Sequence, residues 1–275
     1  MKKLSIGFSP CPNDTFIFDA LIHGKIDTEG LSFDVHMADV EELNLMAFCG
    51  DLDITKLSYH AFLHIIEEYI MLDSGSALGN NCGPLLIKNS GAKDPLVNDL
   101  IAIPGKYTTA NFLLNYAFPE LQNKKELLFS EIESSIKNEV VSAGLIIHEN
   151  RFTYADRGFE KVKDLGEHWE QNTGMPIPLG GIAIKRNLDK SLHEKVQRLI
   201  RKSIEYAFEN PSESLAFVKR NAQEMDTEVM QKHINLYVND YSISLGQKGK
   251  AAIEYMYEFS VKCDLIDSTN KDLFV

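Results

Sequence analysis

The stretch Gly144-Leu-Ile-Ile-His-Glu-Asn-Arg-Phe-Thr-Tyr154 sets a lone histidine immediately behind a short apolar run. Leu145, Ile146 and Ile147 suit a buried strand, and the polar residues after Ile147 mark where that strand surfaces. His148 therefore stands at a strand's carboxyl end. In open α/β sheets ligands gather outside those ends, which makes a titratable imidazole there a candidate for chemistry. Taken as a pattern alone, such a histidine is more often a capped or satisfied structural residue.

The chain on both sides of this strand alternates strand and helix. Leading up to it are a strand at 100–103, a turn at Pro104-Gly105, a helix at 109–118, a strand at 127–129 and a helix at 132–138, which with it make a β-α-β-α-β set. The N-terminal part reads the same way. A strand at 4–9 feeds the breaker-rich turn Pro10-Cys-Pro-Asn-Asp-Thr15, then a helical pattern at 16–23 with Asp14 or Thr15 as N-cap. A strand at 32–38, a helix after Asp39, a strand at 53–58, a helix at 59–67 and a strand at 69–72 follow. The glycine-rich 75–83 reads as a structural crossing loop, 84–88 as a further strand and 89–98 as a linker.

Beyond His148 come a helix at 164–174 carrying the only tryptophan, Trp169, and an extended proline and glycine connector at 175–181. A strand at 182–185 and four helices, at 189–210, 211–221, 226–239 and 246–262, close the chain. Alternating βα units imply mainly parallel sheets with right-handed crossovers, flanked by helices. The most economical architecture is a two-lobed α/β protein. Residues 1–88 plus 180–275 form a discontinuous lobe one, 89–179 form lobe two, and a ligand cleft lies between them.

Composition narrows the function classes. The 275 residues are 44% hydrophobic and 25% charged, an ordinary globular balance, and the formal net charge of −12 has the wrong sign for phosphate backbones or anionic lipid. The expected partner is a small molecule, with no nucleic acid and no membrane. The four cysteines, at 11, 49, 82 and 263, show no Cys-x-x-Cys spacing and no paired Cys/His cluster, so no metal site is expected and free thiols in a reducing compartment are. The opening Met-Lys-Lys has too short an apolar follow-on for an export signal, and no run reaches membrane-spanning length. A soluble cytoplasmic protein is expected.

No Gly-x-Gly-x-x-Gly follows a strand and no phosphate-binding lysine loop is present, which leaves dinucleotide and NTP chemistry without a foothold. His64 and Glu67 share a helical turn but make a weak metal pair, and Asp51 and Asp53 read as turn and cap residues. Two strand-to-helix junctions are better placed. In Thr55-Lys-Leu-Ser58 and Tyr107-Thr-Thr-Ala110, hydroxyl side chains coincide with a helix start, where unpaired N–H groups and the macrodipole favour a carboxylate. Ser58 and Thr109 could equally cap their own helices. Lys56 adds a positive charge that capping does not need.

These residues carry a family likeness. Ser9-Pro-Cys-Pro-Asn-Asp-Thr-Phe-Ile-Phe18, Thr55-Lys-Leu-Ser-Tyr59, Pro104-Gly-Lys-Tyr-Thr-Thr-Ala110 and Gly144 to Tyr154 together resemble the 1,4-dihydroxy-6-naphthoate synthases of the futalosine route to menaquinone. The likeness extends to Asp164-Leu-Gly-Glu-His-Trp169 and the Leu179-Gly180 return. It departs at Asn80-Asn81, where relatives are expected to carry arginine and glycine.

The resemblance implies a type II periplasmic-binding-protein-like fold used for catalysis inside the cell. It implies conversion of cyclic dehypoxanthinyl futalosine to 1,4-dihydroxy-6-naphthoate by carbon–carbon bond breaking, without a metal or organic cofactor. By motif position it puts a general base at His148 and substrate contacts at Lys56, Leu57, Ser58, Thr109 and Ala110, with Asn44 and the Asn13-Asp14 turn as further lining residues. The chemistry suits these residue types. Imidazole can take a proton from next to a carbonyl near neutral pH, aromatisation drives the fragmentation, and the substrate carboxylate needs an anchor. A chorismate dehydratase-like enzyme of the same route and a non-catalytic solute-binding protein are the competing readings.

Overall fold

A computed structural model describes residues 2–222 and 226–275. In chain order the described elements begin with β1 (Lys2–Phe8), α1 (Pro12–Ile22), β2 (Leu31–Met37), α2 (Val40–Cys49), β3 (Ile54–Ser58), α3 (Tyr59–Leu63), β4 (Tyr69–Met71) and β5 (Ala77–Gly79). Then come β6 (Leu85–Asn89), β7 (Ile101–Ile103), α4 (Thr109–Ala117), β8 (Lys124–Glu126), α5 (Phe129–Lys137), β9 (Ala143–Ile146), α6 (Asn150–Thr153), β10 (Phe159–Asp164) and α7 (Leu165–Thr173). The chain ends with β11 (Ile177–Lys185), α8 (Lys190–Glu209), α9 (Pro211–Asn221), α10 (Thr227–Tyr237), α11 (Asp240–Ile243) and α12 (Gly246–Lys262). Two compact units result, one of Met1–Gly79 with Pro178–Val275 and one of Asn80–Ile177.

The first unit is built on a sheet ordered β2-β1-β3-β11-β4, with β5 paired to β11. β1 runs parallel to β2 and β3, whereas β11 runs antiparallel to β3 and β4. Its core gathers Leu4, Ile6 and Phe8 of β1, the apolar face of α1, and Val196, Leu199, Ile200 and Ile204 of α8. A fully buried serine stitches these helices together: Ser203 Oγ donates to Ile17 O at 2.6 Å and accepts from Leu21 N at 3.1 Å.

The second unit holds a sheet ordered β10-β6-β9-β7-β8. β7 is parallel to both β8 and β9, and β6 is antiparallel to both β9 and β10. Ile132 and Ile136 of α5 pack on this sheet with Leu85, Ile87, Ala102 and Ile146.

Both sheets are therefore mixed, not mainly parallel. The antiparallel partners are β6, β10 and β11, none of which forms a β-helix-β crossover with the strand beside it. Residues 84–88, read as the last strand of lobe one, pair in the second sheet instead, and the units divide at 79/80 and 177/178 where the sequence reading drew 88/89 and 179/180. The supposed connector at 175–181 is mostly strand. Gly180 and Gly181 serve close packing there: a Cβ on Gly180 would stand 2.7 Å from Leu57 O, and one on Gly181 2.5 Å from Met71 Sδ.

Helix α1 begins four residues earlier than its apolar spacing predicts, because Pro12 sits at its first position, where a missing N–H costs nothing. Asp14 and Thr15 thus lie inside the helix and do not cap it. Helix α3 is only five residues long, far short of the predicted 59–67. No described helix is long and apolar enough to cross a membrane.

Candidate active site

Neighbouring parallel strands place their carboxyl ends on one edge of a sheet, and in each unit the candidate residues follow such ends. In the first unit β1 runs into the Ser9-to-Asp14 turn and its parallel neighbour β3 ends at Ser58. The turn is held by one carboxylate. Asp14 Oδ2 accepts from Ser9 N at 3.1 Å and Ser9 Oγ at 2.7 Å, while Asp14 Oδ1 accepts from Asn13 Nδ2 at 2.8 Å.

Lys56 reaches the same carboxylate from β3. Its Nζ lies 3.4 Å from Asp14 Oδ1 and donates to Gly75 O at 2.7 Å, and both side chains of the pair are buried. A buried charge needs such a partner. Gly75 can offer its carbonyl there because it adopts φ +95° and has no Cβ, which would stand 2.1 Å from Ile182 Cδ1.

Ser58 is tied to α2. Asn44, fully buried, accepts from Ser58 N at 2.9 Å through Oδ1, and its Nδ2 reaches Ser58 Oγ at 3.3 Å and Glu41 Oε2 at 2.8 Å. The Ser58 side chain makes no capping hydrogen bond to α3. With five residues α3 has little macrodipole to lend, so the positive charge at this junction is that of Lys56. Leu57 between them is fully buried and pairs with Gly181 of β11.

In the second unit β7 and β9 are the parallel neighbours, and both Thr109-Ala110 and His148 follow their carboxyl ends. The cap of α4 is Thr108, not Thr109: Thr108 Oγ1 accepts from Asn111 N at 3.2 Å and donates to Gly105 O at 2.8 Å. Thr109 and Ala110 are buried in the first helical turn. Lys124 of β8 braces that helix by donating to Asn111 Oδ1 at 2.9 Å and to Asn115 Oδ1, and burial pushes its ammonium down to about 8.

His148 lies two residues past β9, half-buried, in a left-handed backbone conformation with φ +58°. An L-residue there carries strain, and such positions concentrate at functional sites. Its ring meets Phe129 edge-on at 4.9 Å between centroids. The loop is anchored by Arg151, which donates to Gly83 O and pairs with Asp164 Oδ2 at 3.4 Å. Asp164 Oδ1 at the same time caps α7 through the N–H groups of Gly166 and Glu167 at 3.0 Å each. Gly83 and Gly166 touch through their backbones, and a Cβ on Gly83 would stand 2.3 Å from Gly166 Cα. Arg151 thus orients the loop that carries His148. Glu149, beside it, is buried.

At Asn81 the backbone is left-handed, φ +57°, which asparagine tolerates better than most residues and which accounts for glycine being expected there. Cys82 offers no ready nucleophile, since burial pushes its thiol up to about 12. Among the described residues no group of three or more His, Cys, Asp or Glu is placed to hold a metal ion.

The sequence reading reached Lys56, Ser58, Thr109 and His148 through strand ends. It gives Glu149 and Arg151 no partner, expecting them to orient the loop more than to do chemistry, and does not single out His233, whose bond to Asn13 spans 220 positions.

Residues 4–262 match the family model described as menaquinone biosynthesis. A protein of Thermus thermophilus named 1,4-dihydroxy-6-naphthoate synthase is 39% identical over 275 residues, covering 100% of both chains. One of the same name from Streptomyces coelicolor is 40% identical over 255 residues, 91% of this chain and 90% of its own. The solved alkanesulfonate-binding protein of Xanthomonas axonopodis shares only 11% identity but superposes with a TM-score of 0.73 over 98% of this chain and 95% of its own, a likeness of fold alone. The fold is that of the periplasmic binding proteins.

Proposed function

The chain belongs to the menaquinone biosynthesis family, and we propose that it is a carbon–carbon lyase converting cyclic dehypoxanthinyl futalosine to 1,4-dihydroxy-6-naphthoate, with His148 as general base. The observation that carries the reaction is the 39% identity with the Thermus thermophilus synthase over the full length of both chains. The base assignment draws support from the strained turn at a strand's carboxyl end and from the Arg151 anchor that fixes it.

In this reading each unit makes its own contribution. Lys56 and Ser58 of the first unit, with the backbone at Leu57, meet the substrate's carboxylate. An ammonium has three donors; Gly75 O and Asp14 take two, and the third is assigned to the ligand. Thr109 and Ala110 of the second unit offer the first-turn N–H groups of α4, a nine-residue helix, as a second anchor. His148 removes the proton next to the carbonyl, the carbon–carbon bond to the sugar-derived part breaks, that fragment leaves carrying the proton returned by the imidazolium, and the remaining ring aromatises. Action inside the cell is part of the same proposal.

The deciding experiment supplies cyclic dehypoxanthinyl futalosine and, separately, chorismate, and follows products by mass spectrometry. Naphthoate from the first alone is expected. Product from chorismate would move the protein to the dehydratase reading, and binding without product from either would make it a solute-binding protein.

A further inference from the structure

We propose that His233 is a positioning residue for Lys56, acting through Asn13 and Asp14. The proposal rests on the reading that Lys56 meets the substrate, and it concerns the first unit alone.

His233 lies on α10, fully buried, with its Nε2 2.9 Å from Asn13 Oδ1 near the start of α1. Asn13 Nδ2 in turn donates to Asp14 Oδ1 at 2.8 Å, the oxygen that lies 3.4 Å from Lys56 Nζ. Four side chains from three elements thus run in series from α10 to the end of β3.

The polarity of the series is fixed by its acceptor end. An ionised carboxylate only accepts, so the amide atom facing Asp14 must be nitrogen and the one facing His233 must be oxygen. The imidazole therefore presents an N–H at Nε2. Asp14 Oδ2 is already held by Ser9 N and Ser9 Oγ, which leaves Oδ1 as the oxygen whose placement depends on Asn13.

Without a donor at position 233 the Asn13 amide keeps only its bond to Asp14 and loses the one that holds it from the other side. Free to pivot about that single bond, it no longer holds Asp14 Oδ1 in line with Lys56. Burying a histidine beside a substrate-facing pair has a simple purpose in this arrangement. It locks an amide that a solvent-exposed partner would let rotate. The ring is itself fixed by Tyr237, one turn on, at 4.7 Å between centroids.

The test uses the full chain, with steady-state kinetics on cyclic dehypoxanthinyl futalosine and the side-chain amide resonance of Asn13 in ¹⁵N-labelled, substrate-free protein. His233→Leu should raise KM by about tenfold with kcat within about twofold, as expected for lost ground-state binding. His233→Gln, whose amide nitrogen replaces Nε2–H, should return KM to within about twofold of wild type. In an Asn13→Ala background His233→Leu should add less than about twofold, because both act through one relay. The Asn13 resonance should move in His233→Leu and stay near its wild-type position in His233→Gln.

Equal losses in the Gln and Leu variants, multiplicative losses in the double variant, or an unmoved Asn13 resonance would overturn the proposal. Should His233→Leu not fold, the Gln and Asn13→Ala variants still decide. Lys56→Met separates the two claims. If it leaves KM unchanged, or if wild-type protein forms no product, the functional reading fails, and the Asn13 resonance alone settles whether His233 orders the relay.

Discussion

Substitution of His148 by glycine and by alanine separates what the turn costs from what the imidazole does. At φ +58° an L-residue pays a steric penalty of roughly 1–2 kcal/mol that glycine does not. Glycine's extra freedom in the unfolded chain offsets about 0.5–1 kcal/mol of that relief. Both variants lose the edge contact with Phe129, a further ~0.5–1.5 kcal/mol. Alanine keeps the strain and loses the contact, so His148→Ala should be less stable than wild type by about 1 kcal/mol. His148→Gly should be more stable than His148→Ala by roughly 0.5–1 kcal/mol, the reverse of their order in a regular strand or helix. Urea unfolding at neutral pH reads this difference, and turnover of cyclic dehypoxanthinyl futalosine by the same samples reads the chemistry. Both variants should lose at least about a hundredfold in kcat. Glycine less stable than alanine would refute the strain argument. Turnover within about tenfold of wild type in either variant would refute His148 as the base.

Gly83→Ala should destabilise the protein by about 2 kcal/mol, because its Cβ would stand 2.3 Å from Gly166 Cα and only backbone movement can relieve the overlap; an unchanged denaturation midpoint would show that the contact yields freely. Lys124 has its folded pKa lowered by burial to about 8, so the unfolded chain binds the proton more tightly and the penalty is fully present below about pH 8 and relieved as pH rises toward the ordinary lysine value near 10.4. Relative to Lys124→Met, wild type should therefore gain roughly 1–2 kcal/mol between pH 7 and pH 10 in paired unfolding curves, the full shift being discounted because the ammonium is partly solvated, and a flat difference would refute the depressed value.

What the sequence made legible and what it hid follow from the range of the interactions concerned. The helices α7, α8, α9 and α12 were readable because apolar spacing and end signals such as Asp164 and Gly174 are local. The strand β10, Phe-Glu-Lys-Val-Lys-Asp, leaves no apolar run for a pattern to find, because it shows charged residues to solvent beside β6. Apolar residues put a strand at 127–129, yet the pairing with β7 falls on Lys124-Lys-Glu126. Glycine and proline misled in opposite ways at two places. Pro12 opens a helix instead of ending a turn, and Gly180-Gly181 mark a crowded strand, not a loose connector.

The candidate site divides along the same line. His148, Lys56, Ser58 and Thr109 were reachable because the carboxyl end of a strand is a place that a one-dimensional pattern can name. The partners that hold them in place are not. The Arg151 bond to Gly83 spans 68 positions and the His233 bond to Asn13 spans 220, and neither has a spacing that a pattern could detect. A strand end fixes where a reactive group emerges, while its orientation is set by side chains arriving from elsewhere in the chain. For that reason substitutions at Arg151 and His233 probe the candidate site's geometry more directly than further changes at the strand-end residues themselves.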